Sequence, residues 1–204
     1  MVETLIHSGA NVNQKDKLGW TPLTMAIDRG NLEIISILLR NGANLNFIDC
    51  KKWTPITMAI KKGHKEVIWK LLQHGADPNL LVKGRLSPLN RAILEDKLEI
   101  LKILLQNGAN SNLFNNWSPI AKAIHKNNID ILKVLIEHGA NPNNSASGTT
   151  DLSPLNRAIE DSKLEIVKIL IENGVDADLL DLKNWTPITK AINKGNIEIL
   201  MILL

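Results

Sequence analysis

The sequence predicts an all-α fold, a solenoid of stacked antiparallel helix pairs with protruding loops. Three observations carry this. First, a Thr-Pro or Ser-Pro dipeptide followed by Leu or Ile recurs at Pro22, Pro55, Pro88, Pro119, Pro154 and Pro187, in steps of 33, 33, 31, 35 and 33 residues. Second, an alanine stands four residues after each proline: Ala26, Ala59, Ala92, Ala123, Ala158 and Ala191. Third, an apolar run closed by a pair such as Leu38-Leu39 or Leu170-Ile171 ends on a glycine at Gly42, Gly75, Gly108, Gly139 and Gly174, and once more at Gly9. A fixed period of this size is the signature of a repeat architecture.

Within a repeat, the Thr or Ser before proline is a helix N-cap. Proline at the first helical position gives up an N–H that has no intrahelical partner there. The alanine lets the two helices of a pair approach closely. Gly30, Gly63 and Gly195 supply the left-handed turn between helices. An acidic residue (Glu33, Glu66, Glu99, Asp130, Glu165 or Glu198) opens the second helix, where the macrodipole favours negative charge. Ile34, Ile35, Leu38 and Leu39 have the spacing of one apolar helical face. The closing glycine is a C′ residue, and a polar extended stretch such as Ala43-Asn44-Leu45-Asn46 leads on. One helix pair cannot bury its apolar face alone; stacked neighbours can.

These residues resemble the ankyrin repeat, whose pattern runs G-x-T-P-L-H-x-A-A, then G-H-x-E-V-V, then L-L-x-x-G-A-D-V-N. Residues 53–79, WTPITMAIKKGHKEVIWKLLQHGADPN, match it well. The resemblance covers the chain in phase. It implies a single array over 1–204: a partial repeat at 1–19, full repeats at 20–52, 53–85, 86–116, 117–151 and 152–184, and a truncated repeat at 185–204. It also implies short β-hairpin-like fingers. The family histidine after T-P-L is replaced by Thr24, Thr57, Asn90, Ala121, Asn156 and Thr189. Thr and Asn are expected to keep part of a hydrogen-bond link between repeats, and Ala121 to lose it. Asp96, Asn127 and Ser162 stand where the inter-helix glycine belongs, so strained or reshaped turns are expected there.

A longer beat overlies the first. The third and fifth repeats share Ser-Pro-Leu-Asn-Arg-Ala-Ile, starting at Ser87 and Ser153, 66 residues apart. The second, fourth and sixth share Trp-Thr/Ser-Pro-Ile, starting at Trp53, Trp117 and Trp185. Duplication of a two-repeat cassette accounts for both. The chain opens inside a second helix at Val2–Ile6 and stops inside another at Leu203-Leu204, without the polar caps usual in solenoids. It is expected either to be a piece of a longer array or to pack its ends on a partner or a second copy.

Hydrophobic residues make up 44% of the 204, enough for a core and against disorder. A net charge of +3 does not mark a nucleic-acid binder. Cys50 is the sole cysteine, which excludes an intrachain disulfide or a cysteine zinc cluster. The start, MVETLIHSGANVN, lacks signal-peptide character, and no apolar run approaches the roughly 18 residues that span a bilayer. A cytoplasmic, reducing setting without membrane contact is expected, and delivery into a host cell is compatible with it. No phosphate loop, nucleophile elbow or HExxH occurs. His64 sits at the family's ordinary place before a second helix, and His7, His74 and His138 close second helices, where a partly cationic ring suits the dipole. Cys50, beside Lys51 and Lys52 with no His near it in sequence, is an incidental loop thiol rather than a nucleophile. No catalytic, metal or cofactor site is expected.

In ankyrin arrays ligands usually meet the concave face formed by loop tips and the outward side of the first helices. The resemblance carries that expectation here. The corresponding positions are Met25, Asp28 and Arg29; Met58, Lys61 and Lys62; Arg91, Leu94 and Glu95; Lys122, His125 and Lys126; Arg157, Glu160 and Asp161; and Lys190, Asn193 and Lys194. This mainly basic ledge is either a solvated helix face or a docking groove for an acidic protein or peptide. Glu95, Glu160 and Asp161 interrupt it, and no aromatic stripe for base stacking accompanies it, which argues against nucleic acid. Trp20, Trp53, Trp117 and Trp185 share the position before Thr/Ser-Pro. They are expected to form a ladder, serving inter-loop packing or as binding hot spots. The candidate partner-binding residues are therefore Arg29, Trp53, Met58, Lys61, Lys62, Arg91, Trp117, Lys122, His125, Lys126, Arg157, Trp185, Lys190 and Lys194. Trp69, in a second helix, is expected in the core. The apolar tips Phe47-Ile48, Leu80-Leu81-Val82, Leu113-Phe114 and Leu179-Leu180 suit inter-loop packing or a contact patch. The long loop 141–148 is a tolerated insertion or a specificity loop. The functional expectation is a non-catalytic scaffold for a protein or peptide partner. The alternatives are the targeting portion of a larger enzyme or secreted effector, and a spacer that associates end to end.

Overall fold

The computed structural model describes residues 1–115, 117–144, 152–181 and 184–204. Among them are thirteen helices and one isolated bridge, between Asn115 and Trp117. The first helices are α2 (Pro22–Arg29), α4 (Pro55–Lys62), α6 (Pro88–Leu94), α8 (Pro119–His125), α10 (Pro154–Glu160) and α12 (Pro187–Asn193). All six begin alike. Thr21, Thr54, Ser87, Ser118, Ser153 or Thr186 is the N-cap, its side-chain oxygen accepts the N–H three residues on, and proline follows at once. A cap of this kind stabilises a helix by about 1 kcal/mol.

The second helices are α1 (Val2–His7), α3 (Leu32–Arg40), α5 (Lys65–Gln73), α7 (Leu98–Gln106), α9 (Ile129–Glu137), α11 (Leu164–Glu172) and α13 (Ile197–Leu203). Asn31, Asn128 and Asn196 cap α3, α9 and α13 with their side chains; His64, Lys97 and Lys163 hold that position without doing so. The helices end as the glycines require. Gly42 adopts φ 79° and donates to the Leu39 carbonyl at 3.2 Å, while Ala43 N–H reaches back to Leu38 at 3.0 Å. This paired closure recurs at Gly75, Gly108, Gly139 and Gly174, with a buried Ala or Val following each time.

The chain forms two compact blocks, Met1–Ala109 and Asn110–Leu204. In the first, α2, α4 and α6 pack side by side, each against its own second helix α3, α5 or α7, and α1 packs on α3. In the second, α8, α10 and α12 do the same with α9, α11 and α13. The core is made of the apolar stripes and the alanines, with Ala59, Ala92, Ala123, Ala158 and Ala191 fully buried. Trp69 is not in it: the indole is 51% exposed. The buried stripe of α5 is Val67, Ile68, Leu71 and Leu72, and position 69 falls on the opposite side of the helix. The inter-helix turns of the third, fourth and fifth repeats do reach the left-handed region without glycine, with φ 54° at Asp96, 55° at Asn127 and 53° at Ser162.

The link between repeats differs from the expectation. Thr24, Thr57 and Thr189 turn their hydroxyls back to the carbonyls of Thr21, Thr54 and Thr186, so their hydrogen bonds stay within the repeat. Asn156 reaches the Leu179 carbonyl of its own repeat at 3.1 Å. The crossing is made instead by the Asn/Asp-x-Asn stretch after most second helices. Its first residue closes an Asx turn: Asn11 accepts from Asn13 N–H, and Asn44 from Asn46. Its second residue bridges. Asn13 accepts Asn44 N–H at 2.7 Å and donates to Gly42 O at 3.1 Å. Asn112 accepts Asn141 N–H at 2.7 Å and donates to Gly139 O at 2.8 Å. Asn46, Asn79 and Asn143 also make bonds of this kind.

Candidate protein-interaction surface

Three of the four Trp residues before first helices, Trp20, Trp53 and Trp185, are held by an acid four residues earlier. Asp49 N–H donates to the Trp53 carbonyl at 2.9 Å, and Trp53 N–H returns to Asp49 Oδ1 at 2.7 Å. Asp16 with Trp20 and Asp181 with Trp185 repeat the exchange. These reciprocal bonds make a hairpin-like finger that fixes the indole beside its first helix. In the third repeat, two residues shorter, the bridge between Asn115 and Trp117 stands in their place.

In the N-terminal block, three cations surround Trp53. Arg91 lies 4.6 Å from the ring centroid, Lys61 5.0 Å and Arg85 5.5 Å. Arg91 comes from the next first helix, so the contact ties the second repeat to the third. Such contacts contribute about 0.5–1 kcal/mol each where exposed. Arg91 also meets Glu95 at 3.4 Å. Arg85 donates to the Lys51 carbonyl. Lys61 and Lys62 are exposed at the end of α4, as Arg29 is at the end of α2; Lys62 pairs with Asp28 at 2.6 Å.

Met58 belongs to the candidate groove set by register, yet it is buried, at 6% exposure. Helix α4 has a first helix on each side, α2 and α6. Met25, the same register in α2, is 41% exposed.

The C-terminal block repeats the Trp–Arg arrangement once. Trp117 has Arg157 and Lys122 each at 5.6 Å and the His125 ring at 5.0 Å. His125 and Lys126 are exposed. Around Trp185 the charges differ. Lys190 is buried, at 5% exposure, with its ammonium 2.6 Å from Asp181 Oδ2 and 3.7 Å from Glu160. The acid inside the finger draws this lysine off the ledge, against the expectation of an exposed cation. Lys194 is neutralised too, 2.7 Å from Glu160. The hydrogen bond from Lys194 holds the Glu160 carboxyl below the ordinary glutamate range, with the charges of Lys194 and Lys190 adding to it.

Family models described as "Ankyrin repeats (3 copies)" match residues 1–82 and 81–146, and one described as "Ankyrin repeats (many copies)" matches 155–204. The chain belongs to the ankyrin repeat family. Solved ankyrin repeat domains have the same fold. That of Bcl-3, a member of the IkappaB family, is 24% identical over 99% of this chain and 90% of its own, with a TM-score of 0.86. That of human ASB11 is 27% identical over 100% and 91%, with a TM-score of 0.75. One from Acinetobacter baumannii AYE is 24% identical over 89% and 95%, with a TM-score of 0.80. No curated protein matches the sequence.

Two further features of this ankyrin array escaped the sequence reading. Lys97 and Lys163, at the position before a second helix, reach back into the preceding repeat. Lys97 donates to the carbonyls of Ile60 at 2.7 Å and Lys61 at 3.0 Å; Lys163 donates to Ile124 at 2.6 Å and His125 at 3.4 Å. Each thus caps the C-terminal end of a neighbouring first helix. Together with the Trp–Arg contacts, this gives the two-repeat beat a physical content: the third and fifth repeats bring an Arg and a Lys, and the second and fourth bring the Trp and the open carbonyls. The signal was present as Lys97 and Lys163 recurring 66 residues apart.

Among the apolar finger tips, Ile48, Leu81, Phe114 and Leu180 are exposed, while Phe47 is half-buried under Lys15, 4.6 Å from its ring centroid. Cys50 is exposed and donates to the Leu18 carbonyl. His7, His74 and His138 each bond a carbonyl four residues back. Of the long loop 141–148, residues 145–148 lie outside the described residues.

Proposed function

We infer that the chain is a non-catalytic scaffold that binds an acidic protein or peptide along the outward side of its first helices. Ankyrin repeats generally serve as protein–protein interaction modules, and the fold is typically non-catalytic. The observation that carries the acidic partner is the set of cations near the C-terminal ends of the first helices. Arg29, Lys61, Lys62, His125 and Lys126 are exposed there, and Lys61, Arg91, Lys122 and Arg157 gather round Trp53 and Trp117. Rigid indoles flanked by cations have the composition of interface hot spots. A specific complex on this surface would bury roughly 1,200–2,000 Å². A cytoplasmic, reducing setting suits the lone thiol of Cys50.

Charge reversal tests the reading. An acidic peptide, octa-glutamate, is titrated into the chain and into Lys62→Glu/Lys122→Glu/Lys126→Glu at two salt concentrations. Loss of binding in the variant, with wild-type affinity falling as salt rises, is the expected result. Binding and salt dependence left intact place the partner elsewhere.

End-to-end association is a second reading. It is favoured by the apolar side chains bared on α12 and α13: Ile192 is 59% exposed, Ile197 72% and Met201 70%. Light scattering over a concentration series tests it, and a monomer throughout rules it out.

A further inference from the structure

Three fingers of the N-terminal block concentrate the positive charge of the chain. Residues 13–20, 46–53 and 79–86 hold six cations (Lys15, Lys17, Lys51, Lys52, Lys83 and Arg85) against two acids, Asp16 and Asp49. That excess is larger than the +3 of the whole molecule. Both acids are engaged by their own fingers: Asp16 Oδ1 accepts from Leu18 and Trp20 N–H, and Asp49 Oδ1 from Trp53 N–H. The five lysines are exposed, and among the described residues none of them is paired with a carboxylate. Each finger also bares one aliphatic side chain: Leu18 is 70% exposed, Ile48 43% and Leu81 45%.

The three fingers form one edge. Cys50 donates to the Leu18 carbonyl at 2.9 Å, Lys15 Nζ lies 4.6 Å from the Phe47 ring centroid, and Arg85 donates to the Lys51 carbonyl. The fingers of the C-terminal block differ. The one that bares Leu180 holds Asp176 and Asp178, both exposed. The one that bares Phe114 has no charged residue from Asn110 to Asn115.

Aliphatic tips set singly among lysines suit an occupant that offers an apolar layer beneath a plane of negative charge. A folded protein would have to supply a separate pocket for each tip, whereas a lipid interface accepts them anywhere. Basic clusters are drawn to anionic headgroups, aliphatic side chains enter the boundary between headgroup and acyl chain, and lysine stems lie along it with the ammonium in the headgroup layer. No helix among the described residues is long and apolar enough to cross a membrane, and a contact at the surface requires none.

We propose that the finger edge of the N-terminal block docks on an anionic lipid surface. The lysine ammoniums meet the headgroups, and Leu18, Ile48 and Leu81 seat at the acyl boundary. This goes beyond the acidic-partner reading and does not rest on it: Lys62, Lys122 and Lys126, whose reversal tests that reading, lie outside the edge.

The test is co-sedimentation of the full chain with vesicles of phosphatidylcholine, alone or mixed with phosphatidylserine, at low and at higher salt. Four proteins are compared: wild type, Lys17→Gln/Lys51→Gln/Lys83→Gln, Leu18→Ser/Ile48→Ser/Leu81→Ser, and Lys65→Gln/Lys133→Gln/Lys168→Gln. The last removes equal charge from exposed positions on second helices. All the substituted side chains are exposed, so the core is untouched. Wild type should bind the mixed vesicles alone, less tightly as salt rises. The finger-lysine variant should lose about a hundredfold in partition coefficient, the serine variant about tenfold, and the second-helix variant less than about threefold. Wild type that ignores phosphatidylserine at low salt overturns the proposal, and so do equal losses in the two lysine variants. A serine variant that binds like wild type overturns the apolar seat. Octa-glutamate that strips the chain from the vesicles at equal anion concentration assigns the edge to an acidic protein instead.

Discussion

Asp49 and Asp181 occupy the same place in their fingers, each four residues before a tryptophan, and each donates to and accepts from that Trp backbone. They differ in what meets the other oxygen. Asp181 has the Lys190 ammonium at 2.6 Å, with the two side chains 3% and 6% exposed. Asp49 has Met58 in that register, and its Oδ2 is buried with no hydrogen-bond partner. Met58→Lys is therefore expected to raise stability by about 1 kcal/mol, because the cost of burying the acid is already present. Lys190→Met should lower it by about 3 kcal/mol, since it strands a buried charge. Urea denaturation midpoints read both, and a loss of stability in Met58→Lys would contradict the pairing. The caps and the Trp position were legible in the sequence because they are local. The burial of Lys190 was not: it depends on a finger whose Asp-to-Trp bond returns Asp181 to the first helix, nine residues on.

The helices themselves were legible almost to their ends, since proline, the N-cap hydroxyl and the C′ glycine mark them chemically. What passes between repeats was less so. The expected links from Thr24 and Thr57 fold back into their own caps, while the asparagine ladder hides in stretches that read simply as polar. Asn112→Ala removes two of its bonds, at 2.7 and 2.8 Å, and is expected to cost about 1–2 kcal/mol in denaturant melts. Gln14→Ala, whose amide bonds an adjacent carbonyl, should cost near zero. Helices α10 and α12 are joined by Glu160 with Lys194, and the Glu160 carboxyl is held below its ordinary range by that hydrogen bond. A depressed carboxyl stabilises the fold above its unfolded pKa, near 4, and loses that contribution as pH falls through the lower folded value. The Tm difference between wild type and Glu160→Gln should accordingly be present at neutral pH and close in acid; a difference that persists at about pH 2 would contradict it.

Across the molecule, the ledge is not the uniform basic stripe that residue types alone suggest. Its cations sort into three kinds: those stacked on an indole, such as Arg91 and Arg157; those neutralised by a neighbouring acid, such as Lys190 and Lys194; and those left exposed, such as Arg29 and Lys126. Spacing in one dimension could place all of them on a ledge but could not sort them, because stacking and pairing are set by fingers and neighbouring helices. The distinction matters for recognition. Stacked and paired cations hold the repeats together, and the exposed remainder is the part of the ledge proposed to meet a partner. Amide hydrogen exchange of the full chain, with and without octa-glutamate, tests most directly that the first-helix side is the binding surface. Added protection in α4, α6 and α8 and in the fingers before them, with α3, α5 and α9 unchanged, is the expected result. Protection confined to the second helices, or none at saturating peptide, would contradict it.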